Sequence, residues 1–301
     1  MLDKREVDFF IEKILMTAET VGGFHLTIYR EAQKIKSAFQ AQYNRHVEIF
    51  DSEVERRSRE NLHLLDIRKL KFEDTILNPL SRGFLSIPLL HKAFNNADIQ
   101  KLSDDLEKLG SSKLLDLFLR KDWQTLESLS KKHGIEQDLL LFVGLNLTQA
   151  VLELYAEKLL SKVDQENWLK GICPVCGNPP AMGKLRKEDG KRILWCAWCC
   201  TEWHYKRIMC PFCGNEDHNT LRFFLVEEGS ASVKDSFRVD VCDKCKRYVK
   251  TLDERKQGNS EKSDLYMENL NTVYLDILAQ KDGYKSPTYW MVTRSLENPL
   301  F

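Results

Sequence analysis

The chain has 301 residues, 43% of them hydrophobic and 30% charged, enough for roughly two ordinary domains with real cores. Its 45 lysines and arginines balance 45 aspartates and glutamates, so no global field draws it to nucleic acid or to an anionic membrane. The opening residues, Met1-Leu-Asp-Lys-Arg-Glu-Val, mix both charge signs with no apolar run behind them, and they do not read as a secretory signal.

Residues 1–165 read as a helical domain. Apolar positions such as Phe9, Phe10, Ile14 and Leu15 recur at helical intervals and predict a helix from about Arg5 to Glu19. Gly22-Gly23 separates it from a second helical segment, about His25 to Arg57, and a third is expected from about Asn61 to Leu77. The stretch Asn78 to Pro88 holds two prolines and a glycine and reads as an extended connector. Shorter helices follow at about Ala97–Leu109, Ser111–Arg120 and Asp122–Lys132, the last stopped by His133-Gly134. A long helix from about Glu136 to Val163 carries apolar residues on more than one face, which places it at the centre of a bundle. Its greasiest run, Leu139 to Leu152, is interrupted by Asn146, Thr148 and Gln149 and is too short to span a bilayer. The expectation is a cytoplasmic protein with no membrane insertion, in a compartment where clustered thiols hold metal more often than they form disulfides.

From Gly171 the texture changes. Short segments such as Lys191–Leu194, Leu221–Val226 and Phe237–Val241 read as strands, and Asp189-Gly190 is a hairpin turn. A last helix is expected from about Asp264 to Gln280, with Leu270, Val273, Tyr274, Ile277 and Leu278 at core-facing spacing. The tail beyond Tyr284 is expected to be irregular, with Tyr289 and Trp290 available for packing.

All nine cysteines lie in the 73 residues from 173 to 245. Eight form C-x-x-C pairs: Cys173 with Cys176, Cys196 with Cys199, Cys210 with Cys213, and Cys242 with Cys245. Two thiolates two residues apart grip one metal from a tight turn, and two such knuckles facing each other complete a tetrahedral four-sulfur site. Sequential pairing is simplest, with 19 residues between the pairs of one site and 28 between the pairs of the other, room for a hairpin in each. Interleaved pairing would need longer excursions. Both halves open on Cys-Pro-x-Cys-Gly, which supports tandem ribbons at 171–209 and 210–255, followed by a C-terminal helix and tail at 264–301. The fold class is therefore α+β: an N-terminal helical domain, two rubredoxin-like or zinc-ribbon modules, and a terminal helix. The cofactors are two metal ions, iron or zinc, since tetrahedral thiolate sites accept either. A closed four-sulfur site leaves no position for substrate, so the metals are expected to fold the region rather than catalyse.

Cys200 is the ninth cysteine. It can substitute for Cys199 in a C-x-x-x-C variant, act as a redox or delivery thiol, or simply pack. His204 and His218 lie in the same region and read as surface or packing residues. Trp195, Trp198, Trp203, Tyr205 and Phe212 cluster around the knuckles as ribbon core, and an exposed subset would be a contact for a partner. Between Gly171 and Arg255 there are 15 basic and 12 acidic side chains. Eight thiolates and two divalent ions bring the formal total to about −1, a poor footprint for a nucleic-acid binder.

The run Cys173-Pro-Val-Cys-Gly-Asn-Pro-Pro, then Leu194-Trp-Cys-Ala-Trp-Cys, Glu202-Trp203, Arg207 and Cys210 resembles the FdhE family of formate dehydrogenase accessory proteins. So do Cys242-Asp-Lys-Cys-Lys-Arg-Tyr-Val-Lys-Thr, Leu275-Asp-Ile-Leu-Ala and Gly283-Tyr284. The resemblance covers about residues 171 to 284. It implies a cytoplasmic maturation factor that is not an enzyme and that binds the catalytic subunit of a respiratory formate dehydrogenase. It also implies rubredoxin-like sites on the eight paired cysteines, with Cys200 outside the pattern. The competing readings are a nucleic-acid-binding zinc ribbon and a rubredoxin-like redox protein.

Overall fold

A computed structural model describes residues 26–225, 236–257 and 263–286. Phe24–Ser161 form one compact unit, and the chain from Lys162 onward belongs to a second.

The first unit is all helical: α1 (26–43), α2 (Asp51–Arg59), α3 (Asp74–Leu85), α4 (Leu90–Ala93), α5 (Asn96–Leu109), α6 (Ser111–Arg120), α7 (Trp123–His133) and α8 (Gln137–Leu159). α8 is its axis. Leu139, Val143, Leu147, Ala150, Val151, Leu152 and Leu154 have no measurable exposure, because α3, α6 and α7 pack around them. A Cβ at Gly144 would sit 2.1 Å from the Phe118 ring, so the glycine lets α6 close onto α8. Lys36, Gln40 and Asn44 hydrogen-bond Gln149, Glu153 and Glu157 at a constant sequence offset of 113. A constant offset means that α1 runs parallel to α8. With its terminal 3-10 turn, α8 spans Gln137–Lys162 and is long and apolar enough to cross a membrane, yet 72% of its most apolar window is buried within the protein. It is the core helix of this unit.

Three sequence expectations fail here. The segment 25–57 is not one helix: a 3-10 turn at Asn44–His46 and the extended residues 47–50 separate α1 from α2. The segment 61–77 holds only a 3-10 turn, Ile67–Lys69, before α3 begins. Asn61, at φ 54°, turns the chain after α2, and Arg57 Nε donates to the His63 carbonyl at 2.7 Å, fixing an irregular path that still buries Leu64, Leu65 and Ile67. The expected connector Asn78–Pro88 is mostly helix, with Pro79 inside α3. An interior proline costs about 3 kcal/mol. Burying Leu77, Leu80, Phe84 and Leu85 on one stripe, at about 1.5–3 kcal/mol each, outweighs it. The helix expected at Arg5–Glu19 and the tail residues Tyr289 and Trp290 lie outside the described residues.

The second unit is built on one six-stranded sheet. Its strands are β1 (Met182–Leu185), β2 (Arg192–Trp195), β3 (Glu202–Tyr205), β4 (Leu221–Phe224), β5 (Phe237–Cys242) and β6 (Arg247–Asp253), in the order β3-β2-β1-β6-β5-β4. β1, β2 and β3 form one antiparallel meander, and β4, β5 and β6 another. Parallel pairing of β1 with β6, Met182 opposite Lys250, fuses the two ribbons. The hairpin joining β1 to β2 turns at Gly190, whose N–H donates to the Arg186 carbonyl at 2.8 Å.

Two helices, α9 (Leu265–Asn271) and α10 (Val273–Lys281), stand where one was expected. They bury Leu265, Tyr274, Leu275 and Ala279 against Met182, Val239, Val241, Tyr248 and Leu252. The break at Thr272 has a cause on the sheet. Lys250, 1% exposed, donates from Nζ to the Asn269 carbonyl at 2.8 Å and the Thr272 carbonyl at 3.4 Å, and pairs with Asp276 at 2.6 Å. Tyr248 donates to the other Asp276 oxygen at 2.8 Å. A cation at the carbonyl end of α9 is favourable. Burial pushes the Lys250 ammonium toward its neutral form, and the Asp276 carboxylate opposes this.

Removing one member of such a pair strands the other. Lys250→Ala is expected to cost about 3–5 kcal/mol in urea unfolding of the full chain, and Lys250→Met combined with Asp276→Leu to recover most of that loss. A cost below about 0.5 kcal/mol for the single variant would remove the pair from its anchoring role.

Candidate metal centres

Each C-x-x-C pair folds into the same knuckle. In Cys173–Asn178, the Gly177 N–H donates to the Cys173 carbonyl at 3.0 Å and the Cys173 N–H to the Asn178 carbonyl at 2.8 Å. The segments 196–201 and 210–215 repeat both bonds at 2.8–3.0 Å, and in the fourth knuckle the Lys246 N–H donates to the Cys242 carbonyl at 2.8 Å. This turn requires a left-handed residue directly after the second cysteine. That residue is Gly177 at φ 74°, Cys200 at 56°, Gly214 at 69° and Lys246 at 54°. Cys200 therefore holds a backbone position that glycine fills elsewhere, and its sulfur is in neither group of four.

The folds of β1–β2 and of β4–β5 bring the knuckles face to face in sequential pairs. Centre one gathers Cys173, Cys176, Cys196 and Cys199, and centre two gathers Cys210, Cys213, Cys242 and Cys245. In centre one, Cys173 and Cys199 are 3.5 Å apart, Cys176 and Cys196 3.5 Å, and Cys176 and Cys199 3.4 Å. In centre two, Cys210 and Cys245 are 3.6 Å apart, and Cys213 and Cys242 3.7 Å. Disulfide sulfurs would lie about 2.0 Å apart. Metal–sulfur bonds of about 2.3 Å put tetrahedral sulfurs about 3.8 Å apart, so both groups can hold a metal ion with little adjustment. Neither His204 nor His218 belongs to a group.

The electrostatics ask for a cation. Burial pushes the thiols of Cys196 and Cys199 well up, and the hydrogen bonds they give the neighbouring sulfurs hold them protonated. Cys176 moves the other way: burial opposes ionisation, but hydrogen bonds from Cys173, Cys196 and Cys199 overcome it. In centre two, burial pushes Cys210 up to about 11, while Cys242 falls to about 7 because N–H groups of Cys245 and Asn215 outweigh its burial. Ionising the thiols that burial holds protonated calls for a positive ion among them, so metal uptake would release protons and weaken as pH falls.

Side chains outside the cysteines tune the sulfurs. Asn178 Nδ2 donates to Cys176 at 3.4 Å, Asn215 Nδ2 to Cys242 at 3.6 Å, and the Thr201 hydroxyl lies 3.1 Å from Cys199. Cysteine spacing alone assigns no role to these three. The Cys-Pro-x-Cys-Gly-Asn repeat carried the signal for both asparagines. Four members of the aromatic cluster are core, Trp195, Trp198, Trp203 and Tyr205, each at most 4% exposed, while Phe212 is half-buried. Trp203 Nε1 donates to the Lys170 carbonyl at 3.0 Å, and the Tyr205 hydroxyl to the Cys210 carbonyl at 3.2 Å, so both polar ends are used.

Fold and site define a class: a helical unit followed by paired ribbons, each with a four-cysteine group. Residues 172–207 match the family described as FdhE, central domain, and residues 208–291 the family FdhE, C-terminal domain. A Protein FdhE homolog of Aquifex aeolicus is 30% identical over 218 residues, covering 71% of this chain and 70% of the relative. A Protein FdhE homolog of Pseudomonas aeruginosa is 34% identical over 117 residues, 38% of this chain and 36% of that protein. Protein FdhE of Escherichia coli O1:K1 is 32% identical over 114 residues, 37% of this chain and 34% of its own length. A crystal structure of the FdhE protein from Pseudomonas aeruginosa has the same fold, with a TM-score of 0.58 and 18% identity over 87% of this chain and 91% of that one. The chain belongs to the FdhE family.

If Cys200 serves as a backbone element, Cys200→Gly is expected to retain full metal content and to raise stability by up to about 1 kcal/mol, whereas Cys200→Val destabilises. Elemental analysis with thermal unfolding of both variants checks this. Loss of an ion in Cys200→Gly would make Cys200 a ligand.

Proposed function

We propose that this protein is an accessory factor for formate dehydrogenase and not itself an enzyme. It works in the cytoplasm, binds the catalytic subunit of the dehydrogenase, and supports its assembly into active enzyme. Membership of the FdhE family supports the reading, as does the closed character of both centres. Four sulfurs around one ion fill a tetrahedral site, so the ion has no free position for a substrate.

In this reading the eight paired cysteines, Cys173, Cys176, Cys196, Cys199, Cys210, Cys213, Cys242 and Cys245, are the ligands of two ions, iron or zinc. The bound ions supply the positive charge that lets all eight thiols ionise. The residues of the chain then do the rest: the knuckle N–H groups, Asn178, Asn215 and Thr201 stabilise sulfur charge, and the joined sheet holds the two ribbons as one rigid surface. The formal charge of the ribbon region, about −1 with both ions present, disfavours a nucleic-acid partner.

The test is anaerobic co-purification from cells that express formate dehydrogenase. The catalytic subunit is expected to copurify with the wild-type protein, which carries two metal ions per chain. Cys173→Ser and Cys242→Ser are each expected to lose one ion or more and to capture less subunit. Salt-sensitive binding of DNA or RNA with no captured subunit would overturn the assignment, and two ions retained in both variants would overturn the ligands.

A further inference from the structure

The two centres share one knuckle geometry but differ in what surrounds them. In centre one, all four sulfurs are at most 2% exposed. Inside its knuckles, Val175 is fully buried and Trp198 is 4% exposed. At the matching positions of centre two, Phe212 is half-buried and Lys244 is exposed. Cys213, the counterpart of the buried Cys176, is exposed, and Cys245 is half-buried.

Hydrogen bonding differs in the same direction. Asn178 donates to Cys176, within its own knuckle. Asn215, at the matching position, turns across the centre and donates to Cys242. Among the described residues no side-chain N–H reaches Cys213. Elsewhere in centre two, Tyr205 donates to the Cys210 carbonyl, Cys242 ends β5, and Arg222, Lys246 and Tyr284 clamp Asp243 next to Cys242. Gly214, next to Cys213, has open space where a Cβ would lie.

Resting on the ligand assignment above, we propose that centre two is an exchanging centre and that Cys213 is its leaving ligand, displaced by an incoming thiolate. Centre one is sealed. A thiolate displacing a ligand from a tetrahedral ion must reach the ion along an uncovered face, and only centre two offers one. A divalent ion in four thiolates carries two negative charges in excess. The exposed cations Lys244 and Arg247, the latter stacked 5.7 Å from the Phe212 ring, offset this charge and favour an anionic entrant. The step exchanges thiolate for thiolate. The bond from the metal to Cys213 breaks, a bond to the entering sulfur forms, the proton of the entering thiol passes to Cys213, and no oxidation state changes. A small thiol or a cysteine of a bound protein fits this chemistry.

The test uses full-length protein loaded with zinc and followed by exchange with isotopically labelled zinc in glutathione. Two phases are expected, one ion per chain each, with the fast phase at least about tenfold faster and accelerating with glutathione concentration. N-ethylmaleimide footprinting by mass spectrometry is expected to label Cys213 before any other paired cysteine, which needs no variant. Cys213→Ser is expected to remove the fast phase alone, and Cys176→Ser to disturb the slow one. Equal exchange of both ions, or first labelling at a cysteine of centre one, would overturn the proposal. Fewer than two zinc ions per wild-type chain would instead defeat the ligand assignment.

Discussion

The ribbon unit keeps eight thiol sulfurs in two groups, all within 4.8 Å of one another in each and the nearest 3.4–3.7 Å apart. Uncompensated, such a group resists ionisation, as the raised thiols of Cys196, Cys199 and Cys210 express. Ions bound at both groups would add their binding free energy to the folding of the unit. The knuckle backbone serves that end. Its left-handed corner turns N–H groups toward the sulfurs, and the four corner residues are as much part of the centre as the ligands.

The second constraint is the sheet. Two ribbons linked only by chain would tilt independently, but the parallel pairing of β1 with β6 makes six strands one object. β6 is the critical strand. It leaves centre two directly after Cys245 and Lys246, lies between β1 and β5, and carries Tyr248 and Lys250 to Asp276. Metal site, both ribbons and the C-terminal helices thus meet along seven residues.

What could be read from the sequence followed from spacing. The cysteine pairs, their sequential grouping and the helices α5 to α8 were legible because metal ligation and amphipathic burial impose strict intervals. β1 was not. Met182-Gly-Lys-Leu has neither strand formers nor alternation, and it is a strand only because β2 and β6 both claim it. β6 was hidden in the same way, since Lys250 and Thr251 are buried by neighbours distant in sequence. Pro79 misled because local preference spoke for a connector, while the stripe from Leu77 to Leu85 repaid the break through packing. Cys200 packs, as one reading of the sequence allowed, but its φ of 56° was not legible from its thiol.

The unlike exposure of the two centres follows from where each knuckle sits. Centre one is enclosed: its four cysteines are all buried. Pro174, Val175 and Trp198 complete the cover. Centre two lies at the β4 edge of the sheet, where Leu221, paired with Cys242, is itself only half-buried. Identical cysteine sets therefore acquire different exposure from their neighbours. Cys242 and Cys245 lead into and out of the turn from β5 to β6, and β6 carries Tyr248 and Lys250 to Asp276 of α10.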